Sequence, residues 1–94
     1  MGHILSEPAE EDYLQLYIEG VALFGRRQAE AYLDRLDRVL DLIGDNPLLG
    51  AVRGHLPGAP RSHLAGSHVI LWDVAPDGTA FILRIRHQRE DWQG

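Results

Sequence analysis

The sequence contains no cysteine and no lysine, and it has no long apolar run. Without cysteine the chain cannot form disulfides or thiolate metal sites, which is typical of proteins in a reducing cytoplasm. No apolar stretch approaches the roughly 18–20 residues that cross a bilayer, and no signal peptide opens the chain. We therefore expect a soluble, cytoplasmic protein that does not enter a membrane.

The charge pattern argues against direct binding to nucleic acid. All nine basic residues are arginines, and the 14 acidic residues bring the net charge to −5. Ten of these acidic residues lie between Glu7 and Asp45, where only four arginines accompany them. Because phosphate contacts need clustered cations, an acidic chain is a poor direct ligand for duplex DNA.

The first half of the single domain, residues 1–94, is predicted to form two helices. The first begins after Ser6, whose hydroxyl can cap it, and ends at Gly25. Its expected buried face repeats at helical spacing: Leu14, Tyr17, Ile18, Val21 and Phe24. The second ends at Gly44 and has the clearest apolar stripe: Ala29, Tyr32, Leu33, Leu36, Val39, Leu40 and Ile43. The short connection at Gly25 predicts an antiparallel helix hairpin.

After a linker rich in glycine and proline, residues 46–60, the apolar period changes to two. Strands are predicted over 3–6 at the start of the chain and over 61–65, 68–74 and 79–87. In the last strand one face, expected on the core side, comprises Phe81, Leu83, Ile85 and His87. The other face comprises Ala80, Ile82, Arg84 and Arg86. We predict an α+β fold of order βααβββ, with the helix hairpin packed on one face of a small antiparallel sheet.

Several short motifs are each common in proteins, but their order and spacing along this chain are distinctive. They are Leu5-Ser6 with Asp12-Tyr13-Leu14, Phe24-Gly25 with Tyr32-Leu33, Asn46-Pro47-Leu48-Leu49-Gly50, His68-Val69-Ile70, and Arg84-Ile85-Arg86-His87-Gln88-Arg89-Glu90-Asp91-Trp92. Over nearly the whole chain this set resembles the RelE/ParE superfamily of bacterial toxins, and the ParE branch in particular. The closing His-Gln-Arg-x-Asp is the most diagnostic part. Two features depart from the family: Trp72 stands where Tyr is frequent, and the chain is acidic where members are commonly basic.

The resemblance implies a toxin of a type II toxin–antitoxin system that arrests growth. ParE-like toxins with a known target usually inhibit DNA gyrase, and a cognate antitoxin wraps its C-terminal segment around the toxin. The missing lysines and the closing motif favour this non-enzymatic interpretation, in which DNA is contacted only through the antitoxin. The antitoxin is expected as a strand on a sheet edge or as a helix in an apolar groove, for which the candidate residues are Leu16, Leu23, Leu48, Leu49, Val52 and Leu56.

Two alternatives stay open. RelE-like proteins cut messenger RNA on the ribosome, and such a ribonuclease would use His87 for proton transfer with Arg61 and Arg84 on the phosphate. The missing lysines and the lack of a tyrosine after His87 argue against this chemistry. His87 also shares a strand face with Phe81, Leu83 and Ile85, which favours a structural role at the end of the core. The third interpretation is a module that keeps the fold and binds the antitoxin without being toxic.

The candidate residues for contact with the target or the antitoxin lie in the second half of the chain: Arg61, Arg84, Arg86, His87, Arg89 and Trp92. Arginine pairs well with a partner's carboxylates, and an exposed Trp is a frequent interface anchor. The structural alternatives are ion pairs within the sheet for Arg61 and Arg84, and packing of Trp92 on the helices. The histidines lack metal-site spacing and no phosphate-binding loop is present, so no metal and no cofactor are predicted.

Overall fold

Two helices and five strands occupy residues 2–90, the part of the chain that the structure, a computed structural model, describes. Their order is β1 (His3–Leu5), α1 (Glu7–Phe24), α2 (Arg26–Asp45), β2 (Ala51–Val52), β3 (Arg61–Ala65), β4 (His68–Val74) and β5 (Ala80–His87). The α+β class and the order of the predicted elements are confirmed, and the linker adds the short strand β2. None of the described helices is long and apolar enough to span a membrane.

The helix hairpin begins and turns where the sequence predicts. The Ser6 hydroxyl accepts a hydrogen bond from the Ala9 amide at 3.2 Å and so caps α1. Gly25 separates the helices at a φ of +87°, which glycine adopts without strain. The predicted stripe of α2 faces the core. Its buried members are Ala29, Leu33, Leu36, Leu40 and Ile43, and its partly exposed members are Tyr32 and Val39.

The predicted buried face of α1 is wrong for most of its members, although Tyr17 does pack against the core. Three of its five members are at least half exposed: Leu14 (58%), Ile18 (50%) and Phe24 (63%). The helix instead turns small residues inward, because Ala9 and Gly20 allow close packing. A Cβ atom at Gly20 would lie 3.2 Å from the Cβ atom of Ala29 in α2. The larger residues that complete this inner face are Tyr13, Leu16 and Tyr17.

The sheet is mixed rather than purely antiparallel as predicted. Its strands lie in the order β1-β5-β4-β3-β2, and β1 pairs in parallel with β5, with Ile4 opposite Phe81. All other neighbouring strands are antiparallel. The parallel pair lies at one edge of the sheet, where β5 has β1 on one side and β4 on the other.

Because of a bulge in β5, the predicted assignment of its faces is wrong before the bulge and correct after it. Leu71 pairs with Arg84 but the next residue, Trp72, pairs with Ile82, so Leu83 has no partner on β4. Before the bulge, Ala80 and Ile82 are therefore buried in the core, contrary to the prediction, and Phe81 is 40% exposed. After the bulge Ile85 is buried as predicted.

The core has two parts, one on each face of the sheet. The main cluster lies between the sheet and the helices and centres on Trp72, Leu36 and Ile82. A smaller cluster consists of Leu56, Val69 and Leu71. Because Val69 and Leu71 alternate with buried Ile70 and Trp72 along β4, they point to the opposite face, which the linker covers through Leu56.

Candidate functional site

A groove opens where the tip of the helix hairpin meets one end of the sheet, and we call it the hairpin groove. Its volume is about 420 Å³, within the size range of ligand-binding clefts. Its lining residues come from α1, α2, the β3–β4 turn and the end of β5: Leu16, Glu19, Gly20, Leu23, Phe24, Gln28, Ala29, Tyr32, Arg35, Ser67, His68 and His87. Leu23 is 74% exposed and forms an apolar wall with Phe24.

The polar floor of the hairpin groove is organised by the hydroxyl of Tyr32. This oxygen accepts a hydrogen bond from the Ser67 amide at 3.0 Å, and it lies 2.6 Å from Nδ1 of His68 and 3.2 Å from the Ala65 carbonyl oxygen. The turn residue Gly66 makes this approach possible, because a Cβ atom there would lie 2.7 Å from the Tyr32 hydroxyl. The β3–β4 turn is therefore attached to α2 through one side chain.

His68 and His87 face each other across β4 and β5, with ring centroids 5.3 Å apart in an edge-to-face arrangement. Burial lowers the pKa of His68, and the neighbouring His87 lowers it further, while Glu90 and Glu19 oppose the shift. The lowered pKa therefore favours the neutral form of His68.

The closing motif folds back on His87. Its Nδ1 accepts a hydrogen bond from the Arg89 amide at 3.1 Å, and its backbone amide donates to Oε1 of Glu90 at 3.2 Å. The Gln88 amide also donates to the Ser67 carbonyl oxygen at 2.9 Å. Much of the motif therefore has a structural task, which is to fix the ring of His87 beside the groove. Its last residues, Asp91 and the predicted anchor Trp92, lie outside the described residues.

The structure does not bring together the three residues named for ribonuclease chemistry. Arg61 lies opposite Trp72, whereas His87 lies opposite His68, four positions away on β4, or about 13 Å along the strand. Nη1 of Arg61 donates to the Leu48 carbonyl oxygen at 2.9 Å, which ties the linker to β3.

The arginines of β5 are engaged within the chain. Arg84 lies on the predicted face, opposite Leu71, but its guanidinium binds the carboxylate of Asp12 in α1. Arg86 pairs with Glu90 at 2.6 Å, and its buried Nε has no hydrogen-bond partner among the described residues. Arg89 is exposed. Of the candidate contact residues within positions 2–90, His87 is the one that lines the hairpin groove.

Sequence reasoning missed Tyr32, His68 and the hairpin tip as parts of one site. A usable signal was present, since His68 opens one predicted strand and His87 closes the next. In an antiparallel pair joined by one turn, those two ends meet. No group of three or more His, Asp or Glu residues suited to hold a metal occurs within residues 2–90.

Comparisons with known proteins agree with this architecture. A family model described as the ParE toxin of type II toxin–antitoxin systems, parDE, matches residues 4–92. Two relatives called Toxin ParE1, from strains CDC 1551 and H37Rv of Mycobacterium tuberculosis, are each 30% identical over 89 residues, covering 95% of this chain and 91% of theirs. A solved structure described as a chromosomal ParDE TA system from P. aeruginosa superposes with a TM-score of 0.79 at 18% identity. That match covers 93% of this chain and 95% of the other.

Proposed function

Because the chain belongs to the ParE toxin family of type II toxin–antitoxin systems, we propose that it arrests bacterial growth by inhibiting DNA gyrase through protein–protein contact. A cognate antitoxin neutralises it by laying its C-terminal segment across the toxin. Both events take place in the cytoplasm, and neither needs a cofactor.

The observation that carries the antitoxin half of the proposal is the hairpin groove. Leu23 and Phe24 are exposed at the rim of this groove. Large apolar residues exposed around a concavity are typical of interaction sites. A helix or extended segment that inserts one large apolar side chain would bury both of them. The imidazoles of His68 and His87 then offer hydrogen bonds that select the partner.

Contact inhibition is favoured over RNA cleavage by the positions of the arginines. A ribonuclease needs its proton-transfer group and its phosphate-binding cations around one atom. Here Arg61 lies far along the sheet from His87, and Arg84 is already bound to Asp12. We propose His87 and Arg89, with Arg61, Arg84, Arg86 and Trp92 as further candidates, as residues that contact the target or the antitoxin.

The test is induction of the chain in a bacterial host that lacks the antitoxin, with pulse-labelling of DNA and protein synthesis immediately afterwards. We expect DNA synthesis to fall first, with broken chromosomes. If protein synthesis collapses first, the ribonuclease interpretation replaces this one, and absence of growth arrest would indicate a non-toxic binding module.

The variant His87→Gln separates contact from catalysis. We expect it to keep most of the toxicity, because a contact inhibitor loses only one of several contacts. Loss of all toxicity in a variant that still shows the parent's unfolding midpoint would instead support catalysis.

A further inference from the structure

The outward face of α1 carries an apolar stripe that the described part of the chain leaves exposed at two of its three positions. We call it the outer stripe: the exposed Leu14 and Ile18 and the half-buried Val21. These residues repeat at i, i+4 and i+7, the spacing of a buried helix face, yet Leu14 is 58% and Ile18 50% exposed. The outer stripe is separate from the hairpin groove, because Leu16 and Gly20 project from the other side of the helix.

The same face becomes acidic toward the start of the helix. Glu7 and Glu11 continue the spacing of the stripe, and Glu10 lies beside them. Neither Glu7 nor Glu10 forms an ion pair within residues 2–90. The helix dipole stabilises carboxylates in a first helical turn, and Glu11, after Asp12, helps to raise the pKa of Arg84. Neither effect accounts for the exposed apolar residues beyond these glutamates.

The charge of this face distinguishes between a second copy of the chain and a different protein as its binding partner. A second copy of the chain would bring its own glutamates and a net charge of −5 to the contact. Arg26, at the other end of the hairpin, is already paired with its own Glu30. Like charges in an interface disfavour association, so a partner of opposite sign fits this face better than a second copy.

We propose that the outer stripe and its glutamates bind a basic amphipathic helix of a protein partner. That helix has apolar residues at i, i+4 and i+7, and its arginines or lysines lie at the end that covers Glu7, Glu10 and Glu11. Glu10 lies eight residues from Ile18, so the cations stand about 12 Å from the centre of the apolar contact. Assigning the helix to the antitoxin rests on the proposed function, whereas the docking surface does not.

The first experiment uses the full chain and two labelled peptides of 18 residues, the length of α1. Both peptides carry leucines at i, i+4 and i+7, and they differ only in having arginines or glutamates at one end. Fluorescence anisotropy should show the arginine peptide binding at least about tenfold more tightly, with the difference shrinking at high salt. Equal binding of the two peptides, or binding of neither, overturns the proposal.

Variants locate the contact. Ile18→Asp should weaken the arginine peptide by about tenfold or more, because the charge enters the apolar centre. The pair Glu10→Arg and Glu11→Arg should reverse the preference between the two peptides. The matched control is the pair Asp34→Arg and Asp45→Arg on α2, which changes the net charge equally and should not reverse it. Reversal by the control, or indifference to Ile18→Asp, overturns the proposal.

Two further measurements separate this surface from the other possibilities. If light scattering shows that the free chain is a dimer that Ile18→Asp dissociates, the face belongs to a second copy and the proposal is wrong. Leu23→Asp, in the hairpin groove, should leave peptide binding unchanged. Failure of the chain to arrest growth would remove the proposed function while the peptide result still tests the docking surface.

Discussion

The carboxylate of Asp12 in α1 binds the guanidinium of Arg84 in β5 through two hydrogen bonds, Nε to Oδ2 at 2.8 Å and Nη2 to Oδ1 at 3.0 Å. The same Oδ2 accepts the Ile85 amide at 2.9 Å, and the Ser6 hydroxyl donates to the Leu83 carbonyl oxygen at 3.0 Å. Side chains of the α1 region therefore occupy the edge of β5 where β1 has ended. An antitoxin strand added to the sheet has to use another edge, because this one is already bonded.

Asp12→Ala should destabilise the fold. The variant leaves Arg84 without its carboxylate and the Ile85 amide without its acceptor at a site where Asp12 is only 16% exposed. Loss of charge-assisted hydrogen bonds at a partly buried site costs about 2–3 kcal/mol. Urea unfolding measures this as a lower midpoint. The control is Arg26→Ala, which breaks an ion pair with Glu30 whose side chains are 80% and 50% exposed, and it should leave the midpoint nearly unchanged. Similar losses in both variants would contradict the structural role of Asp12.

Stability should depend on pH through His68. Burial and the neighbouring His87 lower the pKa of His68 in the folded chain below the ordinary 6.5. At pH values between the folded pKa and 6.5, the unfolded chain therefore binds a proton at His68 that the folded chain does not. The stabilising contribution is therefore complete above pH 6.5 and is lost as the pH falls toward the folded pKa, with a slope of at most about 1.4 kcal/mol per pH unit.

Urea titrations from acidic to neutral pH test this dependence. His68→Asn should flatten it near pH 6, while His55→Asn, a change at an exposed position of the linker, should leave it as in the parent. A parent-like slope in His68→Asn would mean that other groups cause the pH dependence.

The sequence predicts best where one element carries its own pattern. The α2 stripe, the Ser6 cap and the Gly25 turn are local features, and each is found where the spacing places it. The antiparallel pairing of β3, β4 and β5 follows from short turns between alternating strands.

The wrong predictions concern the buried face of α1, which depends on small residues, and the faces of β5, which depend on pairing between distant residues. Apolar periodicity favours large side chains, so it placed Ile18 inside, whereas Gly20 packs against Ala29 because it is small. No local signal marks the bulge at Leu83, which is defined only by the partner strand. The hairpin groove is lined by four segments that are distant in the sequence, so the pattern within any one segment does not predict it. The approach of His68 and His87 is the one part of the site that the strand order does predict.

Trp72→Phe should lower the free energy of unfolding by about 2–3 kcal/mol. Trp72 is fully buried, and its indole Nε1 donates to the Pro47 carbonyl oxygen at 2.8 Å, which holds the linker against the core. Phenylalanine is smaller and cannot donate this hydrogen bond. The control is Phe81→Leu at a position that is 40% exposed, for which we expect a loss of less than about 1 kcal/mol. Urea unfolding of both variants gives the comparison, and equal losses would show that the Trp72 hydrogen bond contributes little.

Leu23→Asp should abolish capture by the antitoxin without weakening the fold. Leu23 is 74% exposed at the rim of the hairpin groove, so the free chain loses little when it is replaced, whereas a partner that buries it would also bury a carboxylate. Leu48 offers a matched control, because it is 70% exposed on the linker and does not line the groove. Each variant is co-expressed with the cognate antitoxin and purified through a tag on the antitoxin. We expect Leu48→Asp to be captured like the parent and Leu23→Asp to be lost, with at least about tenfold less toxin per antitoxin.

Growth should then stop in cells that carry Leu23→Asp together with the antitoxin, since the toxin is no longer neutralised. Full capture of Leu23→Asp would place the antitoxin elsewhere, and equal loss of both variants would mean that any new carboxylate on the surface disturbs the complex.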